Sequence, residues 1–94
     1  MDINWLTTET HMIRKEELED FLFNYGCRQI SIGTFYNSLD SNGFPNEMVN
    51  LVNFSFLYDG QWMTFTGHFK DMSKYDSTLT PTAKFSLQFI DKAQ

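Results

Sequence analysis

The chain has 94 residues, which is enough for one domain and too few for two. Apolar residues make up 41% and charged residues 20%, and this balance argues against disorder. Twelve acidic residues against seven basic ones give a formal charge of −5, which is poorly suited to a phosphate backbone. We therefore expect no direct nucleic-acid binding, and either a basic partner protein or no partner at all.

The cysteine content and the first residues bear on the compartment. The single cysteine, Cys27, cannot form an internal disulfide, and we expect it to be a small buried hydrophobe. Residues 1–5 open with an acid and lack a long apolar run, so no signal peptide is predicted. No stretch approaches the roughly 20 apolar residues that a membrane helix needs. The expected location is the cytoplasm, or the host cytoplasm if a phage encodes the protein.

The first elements in chain order are a short strand and a helix. Weak alternation over residues 2–7 predicts the strand. A helix is predicted over 14–25, followed by Gly26 at a typical helix end. Its apolar stripe, at helical spacing, consists of Leu18, Phe21, Leu22 and Tyr25.

Strands dominate the middle of the sequence. Residues 28–36 alternate and predict one strand, and residues 40–46 are turn formers. Two further strands, 48–58 and 61–69, flank Asp59-Gly60, a preferred pair for a two-residue type I′ turn. Such a turn fixes the register, placing Phe54 opposite Phe65 and Leu57 opposite Trp62. Side-chain alternation independently gives the same register.

The C-terminal element can be interpreted in two ways. Alternation over residues 82–91 favours a strand, whereas Thr80-Pro81 is typical of a helix start. The strand interpretation gives an α+β fold with one N-terminal helix packed on an antiparallel β-meander of three to four strands. The helix interpretation gives the order α-β-β-β-α with a C-terminal helix. That order resembles double-stranded-RNA-binding domains in topology only, because the sequence lacks a basic cluster.

The sequence shows no recognisable catalytic, cofactor or metal motif. His11, His68 and Cys27 are far apart and have no metal-ligand spacing. Glu16 and Asp20 form a close carboxylate pair, but they lie on a solvated helix face that offers no apolar pocket. The five glycines are scattered, so a phosphate-binding loop is absent from the sequence. We predict a protein that is not an enzyme.

Two groups of residues are candidates for protein binding. On the helical wheel, Phe23 lies away from the apolar stripe, among Glu16, Glu19 and Asp20, as an aromatic anchor with an acidic rim would. The alternative is that the last strand or a terminus covers it. The second group is Leu57 with Trp62 on the mixed face of the hairpin. The alternative to binding is that Leu57 and Trp62 pack on Trp5 and the N-terminal segment.

These features lead to three hypotheses of function. The first is a small acidic protein-binding module, an inhibitor or regulator of the phage, plasmid or immunity-protein type, which occludes a basic surface of its partner. The second is a small-molecule binder or simple enzyme, with a pocket lined by Tyr36, Tyr58, Trp62 and His68. The third is a homo-oligomeric structural component that pairs through an exposed strand edge.

Overall fold

A computed structural model describes residues 3–71 and 85–91. The helices and strands are α1 (Ile3–Thr8), β1 (His11–Ile13), α2 (Leu18–Tyr25), β2 (Arg28–Ile32), β3 (Tyr36–Leu39), β4 (Pro45–Tyr58), β5 (Gln61–Asp71) and β6 (Phe85–Asp91). A single-turn 3₁₀ helix, Lys15–Glu17, precedes α2. In the described residues, six antiparallel strands form one sheet in the order β1-β6-β5-β4-β2, and β3 also pairs with β4.

The predicted fold class is wrong, because the molecule is mostly sheet and its helices are short. The prediction of one helix on a meander of three to four strands gave too little sheet in three places. Residues 11–13 add an edge strand, residues 28–39 form two strands instead of one, and both hairpin strands are longer than predicted. The alternative with a C-terminal helix is also wrong, because residues 85–91 pair with β5 as a strand.

Residues 3–8 form a helix, so the strand predicted over 2–7 is wrong. Ile3 and Leu6, three residues apart, pack into the core, with Leu6 fully buried. The Thr7 hydroxyl donates to the Ile3 carbonyl oxygen at 3.1 Å, one helical turn back. The Trp5 ring stacks on Tyr25 of α2 at 5.7 Å between centroids. Packing against α2 therefore outweighs the weak alternation of this segment.

The helix predicted over 14–25 is confirmed in its main part, α2. Leu18, Leu22 and Tyr25 are buried and Phe21 is partly buried, as the stripe requires. Gly26 ends the helix at φ 115°, and its N–H donates to the Phe23 carbonyl oxygen. The next N–H, of Cys27, donates to the Leu22 carbonyl oxygen, which completes a Schellman end. Cys27 is fully buried, as expected.

The single strand predicted over 28–36 is wrong, because the backbone breaks into β2 and β3 on the same edge of β4. The register shifts once between Arg28 and Ser31, where Gln29 has φ 50°. It changes again between the pairs Ile32↔Phe54 and Tyr36↔Leu51, a step of four residues against three. Each extra residue reverses the alternation of side chains beyond it. The first is a β-bulge inside β2, and the second falls in residues 33–35, which are not in a strand.

The central hairpin is confirmed together with its register. Asp59 and Gly60 have φ of 50° and 77°, the two positive values that a type I′ turn needs. Phe54 pairs with Phe65, Leu57 with Trp62, and the ladder continues without a shift to Val49↔Lys70. The predicted C-terminal strand is confirmed over 85–91, between β5 and β1. Its first residues, 82–84, lie outside the described residues.

The core lies on one face of this sheet, under the helices. The buried apolar residues belong to one cluster, which combines α1 and α2 with alternate residues of the strands. That cluster contains Leu6, Leu18, Leu22, Tyr25, Cys27, Val52, Phe54, Phe56, Phe65, Phe69 and Leu87. The opposite face of the central hairpin is open, since every residue on it is exposed or only partly buried. These residues are Val49, Leu51, Asn53, Ser55 and Leu57 on β4, and Trp62, Thr64, Thr66, His68 and Lys70 on β5.

Candidate protein-binding surface

The outward face of α2 carries the first predicted group. Leu18, Leu22 and Tyr25 turn inward, which leaves Glu19, Asp20 and Phe23 on the exposed side. Phe23 is three and four residues beyond Asp20 and Glu19, so the three side chains are neighbours on the helix surface. Glu16, in the 3₁₀ turn before α2, is exposed as well. Phe23 exposes 52% of its surface, so the last described strand, β6, does not cover it.

Arg28 adds a contact to Phe23 that the sequence interpretation did not include. Its guanidinium carbon lies 4.1 Å from the centroid of the Phe23 ring. Its Nη1 donates to the Phe23 carbonyl oxygen at 3.0 Å and to the Cys27 carbonyl oxygen at 2.8 Å. The left-handed conformation of Gly26 turns the backbone, so the first residue of β2 returns beside the end of α2. A cation at this end also complements the helix dipole.

The second predicted group lies on the open sheet face. Leu57 and Trp62 are cross-strand partners, and Trp62 exposes 61% of its surface while Leu57 is half-buried. Packing of Trp62 on Trp5 is ruled out by the sheet register. Trp5 stacks on Tyr25, which contacts Tyr58, and Tyr58 points to the face opposite Leu57.

The two groups form one continuous surface, because Arg28 connects them. Arg28 is the register partner of Leu57 on β4, and Leu57 is the partner of Trp62 on β5. Adjacent strands are about 4.8 Å apart, so Arg28 and Trp62 are roughly 10 Å apart across the sheet. We refer to Phe23, Arg28, Leu57 and Trp62 as the Phe23–Trp62 row. A basic residue just after a helix-ending glycine was the available sequence signal for Arg28.

The pocket proposed from Tyr36, Tyr58, Trp62 and His68 does not form. Tyr36 and His68 share a row, since both pair with Leu51, and they lie on the open face with Trp62. Tyr58 lies on the core face, because it precedes the turn one position after Leu57. Side chains alternate between faces in a strand, so these four residues cannot line one cavity.

The residues considered for metal binding or catalysis are separated in the structure. Over residues 3–71 and 85–91, no three His, Cys, Asp or Glu residues lie together as metal ligands. His11 is buried, with Nε2 at 2.7 Å from the Leu6 carbonyl oxygen and its ring 5.0 Å from Phe21. Burial raises the pKa of the Cys27 thiol to about 11, and the nearby Arg28 charge opposes that rise only in part. A thiol with this pKa is a poor nucleophile at neutral pH.

A further exposed apolar pair lies at the tip of the β3–β4 hairpin. Leu39 and Phe44 expose 64% and 67% of their surfaces. One Asp40 carboxylate oxygen accepts from the backbone N–H groups of Asn42 and Phe44, which holds the turn. The turn prediction at 40–46 did not identify these side chains as exposed. They are separate from the Phe23–Trp62 row and offer a matched control for it.

No known family model, curated protein or solved structure matches this sequence. Among the described residues, no helix has the length and apolar character to cross a bilayer.

Proposed function

We propose that this protein is a non-enzymatic protein-binding module that inhibits or regulates its partner by covering a basic surface. The observation that supports the proposal best is the continuity of the Phe23–Trp62 row. Two aromatic side chains that are each more than half exposed lie at its ends, with Arg28 held between them. Tryptophan and arginine are among the residues most enriched at binding hot spots.

The fixed geometry of the row favours binding. Arg28 is held by two carbonyl oxygens and a ring, and Trp62 stands on the central hairpin of the sheet. Side chains that are already ordered lose less conformational freedom on association, by about 0.5–1.5 kcal/mol for each long side chain. The row can therefore contribute affinity without a rearrangement of the backbone.

The acidic residues beside Phe23 indicate the charge of the partner. Glu16, Glu19 and Asp20 are all exposed and lie next to one end of the row. Carboxylates at the rim of an interface accelerate encounter with a basic surface and lose this effect as salt rises. We therefore expect binding that weakens with ionic strength, and weakens strongly when these three charges are reversed.

The experiment is affinity capture from native-host lysate at low and high salt, followed by dissociation constants with the identified partner. Phe23→Ala and Trp62→Ala should each weaken binding by at least about tenfold, because hot-spot truncations typically cost about 2 kcal/mol or more. Phe44→Ala is the matched control, since it removes an aromatic side chain that is also more than half exposed and lies outside the row. Equal effects of all three variants, or no effect of any, would refute the proposal.

A further inference from the structure

Arg28 uses only part of its hydrogen-bonding capacity. A guanidinium has five N–H donors, and the two hydrogen bonds to the carbonyl oxygens both start from Nη1. Within residues 3–71 and 85–91, neither Nε nor Nη2 donates to a protein acceptor. The side of the fork formed by Nε and Nη2 is therefore available, and Arg28 is an exposed residue.

The position of Arg28 also fixes the direction of that fork. The Phe23 ring lies against one guanidinium face at 4.1 Å, and the two carbonyl oxygens hold the Nη1 end. Arginine binds carboxylates through two parallel N–H···O bonds, which gives both energy and orientation. A guanidinium held in this way has little freedom left to lose when such an anion binds.

We propose that Arg28 is a binding site for a carboxylate group of the partner protein, presented beside an apolar side chain that contacts Leu57 and Trp62. This inference rests on the proposed function and names one chemical feature of the partner. The carboxylate can come from an Asp or Glu residue or from the C-terminus of the partner. Leu57 and Trp62 follow Arg28 in the same row of the sheet, so both contacts are made on one side of the molecule.

A singly charged carboxylate suits this site better than a phosphate. The protein has a formal charge of −5, and Glu19 and Asp20 are exposed near Phe23 on α2. Electrostatic repulsion from these negative charges grows with the charge of the ligand. The two parallel hydrogen bonds from Nε and Nη2 of Arg28 need only one carboxylate. A basic partner surface that includes one carboxylate would satisfy both the acidic helix face and Arg28.

The test follows the Arg28 Nε–Hε and Trp62 indole N–H signals of the nitrogen-15-labelled protein at constant ionic strength. N-acetyl-leucine represents a C-terminal carboxylate, and N-acetyl-glutamyl-leucinamide represents the carboxylate of a Glu residue. N-acetyl-leucinamide carries the same apolar group without the charge, and inorganic phosphate carries charge without the apolar group. We expect at least one carboxylate probe to shift both signals with saturation, and to bind at least about tenfold more tightly than the amide or phosphate. The tighter carboxylate probe identifies the source.

Arg28→Lys tests the fork itself, because it keeps the charge and removes the planar pair of donors. It should weaken carboxylate binding by about tenfold, while Arg14→Lys, the same change on another exposed arginine, should leave it unchanged. Tighter binding of phosphate, equal affinity for the amide, or an unaffected Arg28→Lys protein would overturn the inference. Should Arg28→Lys fail to fold, the probe series on the unaltered protein still decides. Loss of partner binding in Phe23→Ala together with silent probes would overturn only the carboxylate assignment.

Discussion

Replacing Gly67 with alanine should destabilise the protein because there is no room for a methyl group at this position. Gly67 is in the middle of β5, between Val52 and Phe89 in the sheet register. A Cβ there would lie 3.1 Å from Phe54 Cε1, 3.2 Å from Val52 Cγ1 and 3.4 Å from Leu87 Cδ1. Two of these separations are tighter than ordinary carbon contacts, so buried side chains must move.

The size of the effect follows from two opposing terms. Overpacking a well-packed core costs about 1–3 kcal/mol. Replacing glycine with alanine lowers the conformational entropy of the unfolded chain, which raises the free energy of unfolding by about 0.4–1 kcal/mol. The free energy of unfolding should therefore fall by roughly 1–2 kcal/mol, which moves the urea midpoint by about 1 M for a domain of this size. Urea titration followed by tryptophan fluorescence measures that shift.

Two comparisons show whether the core face is correctly assigned. Thr64→Val adds an apolar group to the open face of the same strand and should change the free energy of unfolding by less than about 0.5 kcal/mol. In a Phe54→Leu background the closest contact disappears, so the cost of Gly67→Ala should fall by about 1 kcal/mol. A Gly67→Ala protein as stable as the original, or an equal cost in both backgrounds, would show that the core face has room for the methyl group.

Three further predictions concern the turn, the buried thiol and the buried histidine. Gly60→Ala should lower the free energy of unfolding by about 1 kcal/mol, because φ 77° is strained for alanine; an unchanged urea midpoint would contradict this. Burial raises the pKa of the Cys27 thiol from 9.0, its value in the unfolded chain, to about 11 in the folded protein. The neutral buried thiol therefore contributes fully to the free energy of unfolding below pH 9, and this contribution is lost as pH rises towards 11. Between about pH 8 and pH 10 the protein should lose about 1 kcal/mol more stability than Cys27→Ala, and parallel pH profiles would argue against the shift. His11→Phe should cost about 1–3 kcal/mol in urea titrations, because the ring remains packed while the Leu6 carbonyl oxygen loses its hydrogen bond; a neutral result would show that bond to be unimportant.

The parts of the fold that the sequence predicts well are those determined by neighbouring residues. The central hairpin follows from Asp59-Gly60 and the alternation around it, two local signals that agree. The end of α2 follows from Gly26, and its buried face follows from helical spacing. None of these features depends on a distant segment of the sequence.

The parts that were missed depend on contacts between distant segments. Residues 3–8 form a helix because Leu6 and Trp5 pack against the rest of the core, which local alternation does not reveal. A bulge at Gln29 lies inside β2, and the break between β2 and β3 falls at residues 33–35, although a simple alternating pattern runs through the segment. The predicted binding residues are exposed except for the half-buried Leu57, but the link between the two groups depends on Arg28, which packs back onto Phe23. A tertiary contact of this kind has only a weak sequence signal.

An immobilised Arg28 joins the exposed face of α2 and the open face of the sheet into one surface. The most direct measurement is nitrogen-15 relaxation of the Arg28 Nε–Hε group (R1, R2 and heteronuclear NOE), compared between the original protein and Phe23→Ala. We expect backbone-like rigidity in the original protein, with an order parameter of about 0.8, and a marked loss of order when the ring is removed. An Arg28 guanidinium that is equally mobile in both proteins, with an order parameter below about 0.6, would contradict the claim.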